Sequence, residues 1–137
     1  MRYNLFGQGN DAALLVSRIL LAALFVLFGW EKITGFAGTV GYMAHVGAPA
    51  PMLSAVIAVV MEFGVGILIL VGFYTRPLAV LLALYTLATA IIGHHFWNMT
   101  GGEQMANMIN FYKNVSIAGG LAALAAAGPG RFSIDGK

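Results

Sequence analysis

The sequence predicts an all-α integral membrane protein, a four-helix bundle with both termini in the cytoplasm. Three observations carry that expectation. First, 60% of the 137 residues are hydrophobic and only 9% are charged, whereas a soluble domain carries about 25% charged residues. Second, four apolar runs recur at residues 12–33, 52–73, 77–97 and 108–127. Each is about 20 residues long, enough at about 1.5 Å per residue to cross a hydrocarbon core of roughly 30 Å. Third, Arg2, Arg18, Arg76, Arg131 and Lys137 lie on the side of the termini and the second connection, against Lys32 and Lys113 on the other. An excess of basic residues marks the cytoplasmic side. The chain is therefore expected to be one membrane-embedded domain, 1–137.

The runs are read as helices because a spanning segment must satisfy its backbone internally, and no alternation typical of a membrane barrel is present. Four buried helices of a soluble bundle would each need a charged face, and none has a convincing one. The first run is read as a retained helix, since Trp30-Glu31-Lys32 stands where a signal peptide would want small residues. In the first connection, residues 36–43 can form a short interfacial helix with Phe36, Val40 and Met43 on one side. Pro49 and Pro51 end it and lead into the second run. Tyr74-Thr75-Arg76 is so short that runs two and three must be antiparallel neighbours. Pro77 suits a first helical turn, and Gly128-Pro129-Gly130 stops the last helix.

Small and polar residues share a stripe on every run: Arg18, Ala22, Phe25, Gly29 and Lys32 on the first, for example, and Ser54, Ala58, Glu62 and Gly66 on the second. Such stripes let membrane helices approach closely and keep polar groups out of lipid. Glu62 is the costliest residue, since a carboxylate at mid-span costs roughly 2.5–3.5 kcal/mol on insertion scales. Helical rise puts Arg18 about 7–9 Å and Glu62 about 15 Å from the same side. An Arg18–Glu62 intramembrane ion pair is therefore expected, with guanidinium the better partner for a buried carboxylate. If unpaired, Glu62 is a candidate proton-handling group.

A second cluster gathers at the opposite side: Glu31, Lys32, His45, His94, His95, Trp97, Lys113 and Asn114. Lys32, His94, Lys113 and Trp97 are the candidate ligand-binding residues, suited to the head group of a quinone or another small polar molecule. Ordinary interfacial anchoring is the competing reading for the lysines and Trp97; His94 is the residue it explains least. No metal or haem is expected. His94 and His95 are adjacent and point about 100° apart on a helix, whereas a zinc pair wants a spacing of three or four. The chain has no cysteine, which excludes disulfides and thiolate chemistry. No dinucleotide, phosphate-loop or nucleophile–base motif occurs, and the +2 formal charge reports topology, not nucleic acid.

Gly29-Trp30-Glu31-Lys32, Glu62-Phe63-Gly64-Val65-Gly66, Gly72-Phe73-Tyr74-Thr75-Arg76, Lys113 and the segment from Gly128 to Asp135 together resemble the DoxX family of bacterial inner-membrane proteins. The resemblance runs from about Arg18 to Asp135 and implies a four-helix membrane bundle of the short stand-alone branch. The family takes its name from a subunit of an archaeal thiosulfate:quinone oxidoreductase, and a mycobacterial relative is linked to oxidative-stress partners. What it implies here is a membrane component holding a quinone-like or lipid-like molecule, or a redox partner, at an outward polar pocket. A quinone-coupled oxidoreductase subunit acting with a partner is the alternative, and a small proton-coupled transporter a third reading. The small-residue faces leave a homo-oligomer open.

Overall fold

The computed structural model describes residues 5–7 and 10–136; Arg2 and Lys137 lie outside the described residues. The described residues are helical throughout their length apart from turns, with no strand among them. Helix α1 covers Asn10–Thr34 and α2 covers Phe36–His45. Helix α3, Pro51–Val59, passes through a π-helical segment, Val60–Val65, into α4, Gly66–Val71. Helix α5 is Thr75–Gly93, a single 3₁₀ turn follows at Phe96–Asn98, and α6 is Gly101–Ala127. Three of these stretches, Asn10–Thr34, Pro51–Val71 and Thr75–Asn98, are long and apolar enough to cross a membrane. Helix α6 is long too, but Asn107, Asn110, Lys113 and Asn114 crowd its first half, and it is not among the three.

Each boundary has a local cause. Pro51 occupies the first turn of α3 and Pro77 that of α5, where a missing N–H costs nothing. The anticipated interfacial helix is α2, two residues longer than the pattern suggested. The π-helical segment was not anticipated. An i→i+5 turn accommodates one extra residue, so Met61 with Glu62 and Val65 with Gly66 are both turned inward and buried. The core is built around Ala22, Phe25, Ile69, Leu82 and Leu121. Leu20, Leu27, Val60, Leu84 and Ile91 are more than half exposed, the distribution expected of side chains that face hydrocarbon.

The end carrying both termini is closed by the segment after α6. Its backbone pairs with the α4–α5 turn, Ile134 N–H donating to Val71 O at 3.0 Å and Asp135 N–H to Gly72 O at 2.9 Å. Arg131 N–H donates to Asp11 Oδ1 at 2.8 Å. Gly72 has φ +72°, and a Cβ there would lie 2.4 Å from Ser133 Cβ and 2.8 Å from Arg18 Nη1, so only glycine fits. Tyr74 is held at φ 46°, a left-handed conformation costly for a bulky residue. What holds it is Asp135, whose carboxylate accepts from Tyr74 N–H and Thr75 N–H, each at 3.0 Å. The N-terminus of α5 is thus capped from 60 residues away.

That cap is pH-sensitive. The backbone N–H of Thr75, foremost, with Tyr74 N–H, the Thr75 side chain and the Arg18 charge, holds the Asp135 carboxyl below its ordinary 3.8 against an opposing desolvation. A depressed folded-state value means stability that is present above the ordinary value and lost as pH falls through the folded one. Asp135→Ala should cost about 1 kcal/mol at pH 7, the usual worth of an N-cap. Thermal unfolding in detergent should show the gap between wild type and variant closing as pH falls below the ordinary value of 3.8 and through the lower folded-state one.

Candidate functional site

Glu62 is buried on the π-helical segment, with its two oxygens divided between two helices. Oε1 accepts from Lys32 Nζ of α1 at 3.1 Å, and Oε2 accepts from the Tyr85 hydroxyl of α5 at 2.9 Å. The ion pair is Lys32–Glu62, with the lysine side chain 27% exposed and the glutamate 11%. Lys32 thus turns its long stem inward from the end of α1 instead of reaching for water. Among the described residues this is the ion pair at the site, and it corrects the expected Arg18–Glu62 pair.

Arg18 is fully buried and serves the other end. Its Nε donates to Pro129 O at 3.0 Å, Nη1 to Leu70 O at 2.6 Å, and Nη2 to Phe132 O. Those carbonyls come from the end of α4 and the segment beyond α6, where a helix terminus and a turn leave acceptors unpaired. The guanidinium fork reaches all three at once, and a carboxylate is not what it binds.

Above Glu62 opens a cavity of about 730 Å³, within the range of sites that hold small molecules. Its floor is Glu62, Lys32 and Tyr85; its walls include Leu24, Phe28, Ile57, Ile92 and Ile117; its rim has Glu31, His94, Lys113 and Asn114. Helix α2 roofs it with Gly38, Thr39, Tyr42 and Met43. Two hydrogen bonds tie that roof to the end of α5: Tyr42 Oη donates to Gly93 O at 3.1 Å, and His95 Nε2 meets Val46 O at 3.2 Å.

The rim is ordered by amides. Asn107 Nδ2 donates to Glu103 O at 2.9 Å, which fixes its Oδ1 as the acceptor facing His94 Nδ1 at 2.9 Å. His94 Nδ1 must then carry a proton and donate to it. Lys113 Nζ donates to Asn110 Oδ1 at 3.1 Å, and Asn114 Nδ2 to Thr89 Oγ1 at 3.2 Å. Of the four expected ligand residues, Lys32, His94 and Lys113 line the cavity. Trp97 does not: it is 55% exposed and packs on Phe96 and Phe111 with ring centroids 5.6 and 5.9 Å away. His45 is exposed at the end of α2.

Residues 13–95, which hold Lys32, Glu62, Tyr85 and His94, match the DoxX family. The chain belongs to the DoxX family. Its similarity to two relatives covers nearly the full length. It is 57% identical to inner membrane protein YphA of Escherichia coli over 135 residues, 98% of this chain and 96% of that one. It is 47% identical to inner membrane protein YqjF of the same organism over 126 residues, 92% of each. An uncharacterized protein of Caenorhabditis elegans, T02E1.7, is 34% identical over 76 residues, 56% of this chain and 28% of its own. No solved structure matches the chain. This DoxX-family chain is a multi-pass inner-membrane protein in contact with the bilayer.

Tyr85, which completes the floor in this DoxX chain, was not singled out from sequence. A signal for it exists: tyrosine belongs at the membrane boundary, and Tyr85 stands in the middle of the run 77–97. Its displacement from the interface is what marks it. Thr89 and the α2 residues carry no comparable mark, since threonine and glycine are ordinary packing residues of membrane helices.

Proposed function

We propose that this protein is a membrane component that holds a small amphipathic molecule of quinone type in the cavity above Glu62. The observation that carries the reading is the cavity itself: apolar walls between a charged, hydrogen-bonding floor and a polar rim. A flat ring with oxygen at both ends matches that sequence of surfaces, with one oxygen at Lys32 and the other toward His94 and Lys113. Four helices, α6 included, cross the bilayer in this reading. Arg18, Arg76 and Arg131 gather at the end of the termini, which supports a reading with that end in the cytoplasm and the rim outward.

Binding is favoured over transport because the cavity lining stops short of the end that carries the termini. Arg18 and Thr75, at the opposite end, are fully buried and take no part in its lining. Transporter sites, by contrast, are typically reached from both sides around broken helices. The test is purification in mild detergent, followed by an absorption spectrum and mass spectrometry of extracted small molecules. A stoichiometric quinone or related ring compound is expected, with binding weakened about tenfold in His94→Ala while the fold persists. Recovery of nothing but bulk phospholipid, with no binding of added short-chain quinone or quinol, would overturn the reading.

A further inference from the structure

We infer that the floor of the cavity selects the reduced, hydroxyl-bearing form of its ring ligand over the oxidised carbonyl form. The inference rests on the ring-binding reading above and goes beyond it by assigning a redox-state preference.

The argument is a count of donors and acceptors. Glu62 has spent one acceptor position on each oxygen, to Lys32 at 3.1 Å and Tyr85 at 2.9 Å. A carboxylate offers about four such positions, so each oxygen can take one more donor. Tyr85 has its only O–H committed to Glu62 and can offer the ligand nothing but lone pairs. Lys32 has one of its three N–H groups on Glu62, and two remain. The floor therefore presents acceptors from two residues and donors from one.

A quinone oxygen brings acceptors only. It can satisfy Lys32, but against Glu62 and Tyr85 it sets lone pairs on lone pairs, beside side chains largely shielded from water. A hydroquinone or phenol oxygen brings a donor and acceptors together. It can donate to Glu62 or Tyr85 while accepting from Lys32, and a hydrogen bond to an ionised acceptor is among the stronger kinds. The reduced form should therefore bind at least about tenfold more tightly, the worth of one such bond.

The experiment is anaerobic calorimetric titration of the full chain in mild detergent with three probes: a short-chain benzoquinol, the matching benzoquinone, and the quinol's di-O-methyl ether. The quinol should bind at least about tenfold tighter than both others. Tyr85→Phe, which keeps the Lys32–Glu62 pair and frees the acceptor position on Glu62 Oε2, should retain the preference, and Glu62→Gln should abolish it by removing the charge and adding N–H donors. Quinone binding as tightly as quinol to the wild type would overturn the selectivity while leaving the ring-binding reading intact. Binding of none of the three would overturn both. The wild-type comparison decides the matter even if Glu62→Gln does not fold.

Discussion

Arg18→Met should destabilise the protein by about 3 kcal/mol or more, the largest effect expected of any single substitution away from the cavity. The side chain is fully buried and gives three hydrogen bonds to main-chain carbonyls of Leu70, Pro129 and Phe132. A bond to a charged donor is worth about 1.5–3 kcal/mol, and an acceptor orphaned in the interior costs about 1–3 more. Removing the buried charge returns part of this, which is why the figure stands below the sum. Arg18→Lys should recover little, because one compact ammonium on a flexible stem cannot span acceptors from two segments as the planar fork does. Thermal unfolding in detergent, read by circular dichroism and size-exclusion profile, checks both variants. A methionine variant as stable as wild type would show that the carbonyls find other partners.

Gly29→Val should be nearly as damaging and should also disable the cavity. A Cβ at Gly29 would sit 2.5 Å from Phe63 N and 2.8 Å from Phe63 Cα. Those are backbone atoms of the π-helical segment, so no rotamer change can relieve the clash. Helix α1 must move off that segment, at a cost of about 1–3 kcal/mol or more for forced overpacking. The gain in helix propensity over glycine, about 1 kcal/mol at most, does not offset it. The displacement also draws Lys32, one turn beyond Gly29, away from Glu62. Gly29→Ala should show the same direction at smaller size. Both variants should lose ring binding in the titration described above, in proportion to the size of the new side chain. Undiminished binding by Gly29→Val would mean that the close approach of α1 does not position the floor.

Much of the architecture was legible because membrane helices announce themselves by length and apolarity. The short helix in the first connection was visible as well, from the spacing of Phe36, Val40 and Met43. The partner of Glu62 was not. Depth along a helix follows from residue count, and by depth Arg18 and Glu62 are neighbours. Rotation about the helix axis does not follow so simply once a π turn intervenes. Competition is invisible in sequence too: Arg18 had a rival claim from carbonyls 111 and 114 residues away. Lys32, meanwhile, reads as an interfacial anchor only if its stem is assumed to point outward, and the carboxylate at the cavity floor reverses that. Trp97 shows the opposite error. Its boundary position already explained it, and its packing against Phe96 and Phe111 needs no ligand.

The buried guanidinium has a consequence for the timing of biosynthesis. Arg18 enters the membrane with the first helix, yet two of its three acceptors belong to Pro129 and Phe132. Until the ribosome has made those residues and the emerging chain has folded back, the arginine must stay hydrated at the surface, because an unpaired charge within the hydrocarbon is costly and a long arginine near a helix end snorkels to water. Helix α1 should therefore ride shallow in the bilayer through most of synthesis and sink to its final depth only as the last turns are added. Its seating makes the last step of folding wait for the end of translation.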